Sequence, residues 1–223
     1  MNPAWAKFFA FLFPLRCVAC NAHLPEGGTL CVDCLARIPL HGRSVQMPHA
    51  SYTLIAATSY ASPEAQMLVK ALKYEGVADA ASMLALVTAA AARNTLEQEL
   101  LTREKWVMAP IPLHPKRERE RGFNQGMRFA KALRYHEPLL HIPLVRVLSR
   151  IRYTDTQTEK PDYKARKANV AGCFEVAEPA EVRGKNVLLI DDVTTSGATL
   201  EEAARVLKRA GAHRITALVF AKA

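Results

Sequence analysis

Four consecutive aliphatic residues, Val187, Leu188, Leu189 and Ile190, stand out in the carboxy-terminal third because no polar position alternates with them. Such a run predicts a strand buried on both faces of a parallel sheet. From Ala198 the apolar period changes: Leu200, Ala203, Ala204, Val206 and Leu207 recur at helical spacing, and Gly211 supplies a carboxy-terminal stop. Residues 215–220 form a second apolar strand. Residues 106–111 form a third, which opens into a polar loop (112–126) before a helix carrying Met127, Phe129, Ala130 and Leu133. Repeated strand, loop and helix units predict an α/β fold with a parallel sheet, flanking helices and both loops on one sheet edge, where open α/β proteins bind ligands. Short apolar segments at 143–148 and 173–176 bracket a polar, basic stretch that reads as a flexible flap or hood over that edge.

Composition adds a size and an asymmetry. The 223 residues are 50% hydrophobic and 23% charged, which excludes a disordered chain and a membrane bundle and allows one full domain plus a small module. Residues 1–45 are assigned to the module and 50–223 to the larger domain. The formal charge of +9 is concentrated in 116–167, which carries 14 basic and 6 acidic residues and so accounts for +8 of it. An excess this local marks an anionic partner such as nucleic acid, acidic lipid or a phosphorylated small molecule, with a solvated helix face as the structural alternative.

The amino-terminal run Phe8–Leu15 has 8 apolar residues, far fewer than the ~20 that cross a bilayer. No small-residue cleavage site follows it, and Arg16 before Cys17 argues against a lipoprotein signal. It reads as an arm packed on its own domain or as a peripheral contact. No integral membrane span is expected, and a cytoplasmic location follows.

Cys17, Cys20, Cys31 and Cys34 form two CxxC pairs with ten residues between them. Two tight turns that aim four thiolates at one centre make a closed tetrahedral site for structural zinc, and Gly27 and Gly28 let the short spacer reverse. A disulfide needs an oxidising compartment and a redox CxxC needs an open position, so metal is the better reading. The lone Cys173 is expected as a buried strand residue, and His41, Gly42, Arg43 and Pro48 as a linker.

The chemistry concentrates after the 187–190 strand, in Asp191, Asp192, Val193, Thr194, Thr195, Ser196, Gly197, Ala198 and Thr199. Loop amides, hydroxyls and a helix start make a concave site for a phosphate dianion. Two acids beside it repel phosphate unless they serve another group, and neighbouring carboxylates suit sugar cis-hydroxyls or phosphate-bound magnesium. Residues 187–199 resemble the phosphoribosyl pyrophosphate (PRPP) signature of type I phosphoribosyltransferases. The departure is Thr194, where that signature usually has an aliphatic residue. Thr195 stands where the 6-oxopurine salvage members carry an aspartate, which makes hypoxanthine or guanine salvage an unfitting activity.

The resemblance gives the basic segment a role. In type I transferases pyrophosphate binds at a loop in the place of 112–126, and Lys116, Arg117 and Arg121 supply cations there. Leu68 to Gly76, Pro110 to Gln125, the region of Arg152, Thr154 and Gln157 with Arg166 and Asn169, the PRPP signature and the cysteine pairs occur together in that order. The chain is similar in this to the ComF family of competence and DNA-utilisation proteins, including its GntX branch. That resemblance implies a zinc-ribbon-like module fused to a type I phosphoribosyltransferase domain with a hood, and a role in natural transformation or use of external DNA. Two functions are open. A magnesium-dependent transferase would hold the ribose on Asp191 and Asp192, the 5-phosphate on residues 194–199 and pyrophosphate on Lys116, Arg117 and Arg121, with Arg152 and Arg166 as lid contacts. An inactive accessory protein would instead bind single-stranded DNA or a DNA-uptake partner along 116–167, stacking bases on Phe123 and Tyr153.

Overall fold

A computed structural model describes residues 15–25, 27–47, 50–74, 78–100, 105–154 and 163–223. The apolar run before Leu15, Glu75 and Gly76 of the family motif, and Gln157 with the flap tip 155–162, lie outside the described residues.

In chain order the elements are α1 (Val32–Ala36), β1 (Ser44–Gln46), β2 (Thr53–Ser59), α2 (Pro63–Tyr74), α3 (Ala78–Glu99), β3 (Trp106–Pro110), α4 (Pro115–Arg121), α5 (Gln125–His136), β4 (Leu148–Arg150), α6 (Tyr163–Val170), β5 (Phe174–Val176), β6 (Asn186–Thr194), α7 (Ala198–Arg209) and β7 (Arg214–Lys222). Five strands form one sheet in the order β1-β2-β7-β6-β3, parallel except for β1. All five residues of β3 and the first five of β6 are buried, as expected of strands with cover on both faces. On one face Leu188, Ile190, Leu218 and Phe220 meet α2, α3 and α5; on the other Val187, Leu189, Ala217 and Val219 meet α7 and the separate antiparallel ribbon β4–β5.

The expected strand at 143–148 divides. Leu144 bridges Met108 beside β3, and β4 starts only at Leu148, because Pro143 and the turn before it leave a single bridged position. Within the expected loop at 112–126 lies a helix, α4, that carries no buried residue and therefore no apolar period; His114 caps it and Pro115 opens it. Within the expected linker lies an edge strand, β1 (Ser44–Gln46). His41 and Gly42 donate to the carbonyls of Ala57 and Ala56, and β1 pairs Val45 with Leu54. Its three residues are all exposed, so it has no hydrophobic signature.

The cysteine segment shares its core with the sheet. Cys17, Leu24, Leu30, Cys34 and Ile38 join the cluster that holds the α2 and α3 side chains, and Arg37 pairs with Glu64 of α2 at 2.7 Å. Gly42, at φ +64°, lies so close to α3 that a Cβ would stand 1.8 Å from the Ala91 carbonyl oxygen. Among the described residues no helix is long and apolar enough to cross a membrane.

Candidate functional site

Strand β6 carries Asp191 and Asp192 to the carboxyl end of the sheet, and the pleat sends them to opposite faces. Asp192 shares the face of Leu188 and Ile190, is 2% exposed, and its Oδ2 lies 2.7 Å from Nζ of Lys73 in the last turn of α2. Burial disfavours the Lys73 ammonium, but the charge and bond of Asp192 outweigh it and raise its pKa above the ordinary lysine value. Asp191 takes the hood face, and its Oδ1 accepts from the Asp192 amide at 2.9 Å. Burial, then the neighbouring Asp192 carboxylate, push its pKa well above the ordinary aspartate value. The two acids are therefore unequal: Asp192 has an internal cation, and Asp191 sits where burial and its neighbour disfavour the ionised form.

Directly after them the chain turns through Thr195, Ser196 and Gly197 into α7, with Thr194 buried at the end of β6 and Ala198 and Thr199 in the first turn of the helix. Gly197 has φ +79° and its carbonyl accepts from the Glu201 amide at 2.8 Å. The buried Tyr52 lies beneath, its Oη 2.7 Å from where a Gly197 Cβ would be. Only glycine fits that turn and leaves the loop amides and the α7 start free to face an anion.

Across the neighbouring β3, α4 presents the cations. Pro110 stands beside Ile190 in register, and the Ile111 amide donates to the Ile190 carbonyl at 2.9 Å, so the two loops leave adjacent points of the edge. Arg121 donates to Gln125 Oε1 at 2.7 Å and its Cζ is 5.4 Å from the centre of the Tyr74 ring. Lys116 Nζ and Arg117 Cζ lie 4.9 and 5.3 Å from the Tyr153 ring centre, and Arg117 donates to the Thr154 carbonyl at 2.9 Å. Lys116 and Arg117 are thus tied to the root of the flap. Arg152 donates to the carbonyls of Asn169 and Ala171 at 2.8 and 2.6 Å, joining the two flap stems, and Arg166 lies partly buried on α6.

Four residues join the site that the sequence reading left without a role. Lys73 and Tyr74, quoted only as part of a motif, reach Asp192 and Arg121. Tyr52 lies under the Gly197 turn. Arg150, on the hood, donates to the Thr154 hydroxyl; burial lowers its pKa, the charges of Cys173 and Asp191 oppose that, and Arg117 adds to it. Lys73 follows the buried Leu72 in an amphipathic helix, so only its place three positions before Gly76 hinted at an edge position. Phe123 and Tyr153, the stacking pair of the nucleic-acid reading, each carry a cation already: Arg128 Cζ stands 3.6 Å from the Phe123 ring centre.

The four cysteine sulfurs all lie within 4.8 Å of one another. Cys20 and Cys31 sulfurs are 3.6 Å apart, too far for a disulfide. Burial works against the Cys17 thiolate, but the Cys31, Cys20 and Ala19 amides outweigh it and bring its pKa to about 6, whereas burial and the other thiols push Cys34 up to about 12. Four sulfurs so close cannot all ionise without a cation between them, so the donor set fits a thiophilic metal. Arg37 donates to Cys34 Sγ at 2.9 Å and adds a partner outside the set.

Two acids ending a parallel strand, a glycine turn opening a helix and a basic helix on the next strand define a phosphoribosyltransferase-type protein. A family model described as Phosphoribosyl transferase domain matches residues 121–223. The DNA utilization protein YhgH of Escherichia coli is 30% identical over 206 residues, 89% of this chain and 86% of that protein. Competence protein F of Haemophilus influenzae is 27% identical over 209 residues, 93% and 84% of the two chains. Competence protein ComFC of Bacillus subtilis is 36% identical over 106 residues, 48% of this chain and 40% of that one. The chain belongs to the ComF family.

Proposed function

We propose that this protein binds PRPP at the β6–α7 edge and serves in competence or DNA utilisation, as its relatives are named. Asp191 and Asp192 take the ribose hydroxyls. Thr194, Thr195, Ser196, Gly197, Ala198 and Thr199 take the 5-phosphate. Lys116, Arg117 and Arg121 take the pyrophosphate, with Arg152 and Arg166 at the lid. The observation that carries this reading is the adjacency of a carboxylate pair, a glycine phosphate turn and a basic helix on two neighbouring parallel strands.

Magnesium bound with the ligand would supply charge neutralisation for the leaving pyrophosphate. The residues present fit that arrangement on the hood side, where Asp191 faces the open edge. What the chain itself contributes is preorganised charge: α4 holds its cations before the ligand arrives, Gly197 fixes the phosphate, and the stems joined by Arg152 close water out. No nucleophile is needed for such a transfer. The cysteine set, residues 1–45, is a structural zinc module, and 50–223 is the domain that binds PRPP in the cytoplasm. Whether the bound PRPP is substrate or regulatory ligand is set by the acceptor.

Titration calorimetry with PRPP and magnesium tests the reading: a saturable heat is expected, and no heat with folded protein overturns it. Single-stranded DNA is the second arm. If DNA binding survives charge reversal at Lys116, Arg117 and Arg121, those residues belong to the pyrophosphate alone; if it disappears, DNA and pyrophosphate share them.

A further inference from the structure

The end of α2 contributes two consecutive residues to the edge. Lys73 reaches inward to Asp192 at 2.7 Å, and Tyr74 reaches outward to Arg121 of α4. The Lys73 side chain is 23% exposed and that of Asp192 only 3%, so the carboxylate is largely shielded from bulk water and its ammonium partner is only partly so. An ammonium held there is a built-in cation beside Asp192. It cancels one carboxylate charge, and it has three donors of which Asp192 takes one. A magnesium ion on Asp192 would have to displace that ammonium and surrender water ligands it releases reluctantly.

We propose that Lys73 is the resident counter-cation of the diol acids, so that the site takes a 5-phosphorylated pentose without a divalent ion and needs one only for a ligand that brings pyrophosphate. The inference rests on the PRPP reading above and deepens it by dividing the site into a metal-independent sugar-phosphate half and a metal-dependent pyrophosphate half. The charge count favours the division. With Lys73 in place the sugar end carries one negative charge fewer, and the 5-phosphate meets the loop amides and the α7 start on the far side of Gly197. Only pyrophosphate, a dense anion, exceeds what Lys116, Arg117 and Arg121 neutralise. Lys73 acts here as a positioning residue: its 2.7 Å contact holds the Asp192 carboxylate in place for the hydroxyls.

Titration with ribose 5-phosphate, in EDTA and again in magnesium, tests this on the full chain, with PRPP in magnesium as the reference. The wild type is expected to bind ribose 5-phosphate with equal affinity in both buffers. Lys73→Met should lose at least about tenfold in EDTA, the scale of one charge-assisted hydrogen bond, and recover part of it in magnesium. Lys73→Arg should keep the EDTA binding. Wild-type binding that vanishes in EDTA overturns the proposal without recourse to any variant, while PRPP binding in magnesium would leave the PRPP reading standing. A folded Lys73→Met that binds as the wild type does in EDTA also overturns it. If neither ligand binds in any buffer, the PRPP reading itself has failed and the inference falls with it.

Discussion

Gly122 and Gly197 share a backbone conformation, φ +80° and ψ −5° in one, φ +79° and ψ −2° in the other, but differ in what surrounds them. A Cβ added at Gly122 meets nothing within 4 Å, whereas one at Gly197 meets the Tyr52 hydroxyl at 2.7 Å. Gly122→Ala therefore measures the left-handed strain alone, about 1–2 kcal/mol. Gly197→Ala adds an overpacking cost of about 1–3 kcal/mol, because Tyr52 is 2% exposed and has no room to retreat. At about 2–4 °C per kcal/mol for a chain of this size, Gly122→Ala should lower the Tm by about 2–8 °C and Gly197→Ala by about 4–20 °C. Thermal unfolding followed by circular dichroism reads both. The Tyr52→Phe background removes the atom that the new methyl meets, so it should restore the overpacking part and leave the strain, a coupling visible in a double-mutant cycle. Ribose 5-phosphate affinity should fall in Gly197→Ala and return in the double variant, because the turn that carries the loop amides is what shifts. Equal Tm losses at the two glycines, or no recovery with Tyr52→Phe, would refute the claim that Tyr52 fixes the phosphate turn.

Asp191 binds its proton more tightly in the folded chain than in the unfolded one, so its contribution to stability falls as pH rises from the ordinary aspartate range toward its raised value. Asp191→Asn should gain stability over the wild type as the pH climbs from 4.5 to 7.5 in urea titrations, and a difference that is flat or shrinks with pH would contradict the raised value. Chelation of the cysteine site, or Cys31→Ser, should lower the Tm of the whole chain in one transition, because Cys17 and Cys34 belong to the same core as α2 and α3; a separate early transition would show an independent module. Tyr153→Ala removes the ring against which Lys116 and Arg117 rest, worth about 0.5–1 kcal/mol at an exposed site, and should weaken PRPP binding while sparing ribose 5-phosphate.

What could be read in the sequence was whatever depended on periodicity or on a fixed local spacing. The buried run at 187–190 belonged to β6, the helix opened at Ala198 as β6 gave way to the Gly197 turn, and the paired cysteines met, since each of these is dictated by neighbours along the chain. Elements without apolar period stayed hidden: α4 has no buried residue, and β1 is three exposed residues held only by backbone bonds to β2. Lys73 and Tyr52 were illegible for a different reason. Their roles arise from long-range packing, 119 and 145 positions from Asp192 and Gly197, and no local pattern announces a partner at that separation.

The concentration of +8 within 116–167 first suggested a surface offered to an external polyanion, but much of that charge is spent within the chain. Lys116 and Arg117 rest on Tyr153, Arg121 on Tyr74 and Gln125, Arg128 on Phe123, Arg150 on Thr154, and Arg152 on two carbonyls of the opposite flap stem. These contacts set where the cations stand before any ligand comes. A polyanion that follows a surface by counterion release needs mobile side chains and gains little from such fixing, whereas a compact di- or triphosphate gains the full benefit of charges already in place. The arrangement therefore favours a small phosphorylated ligand at the α4 edge. On the proposed reading, DNA, for which relatives of this chain are named, is expected to meet residues other than those that hold the flap root to α4.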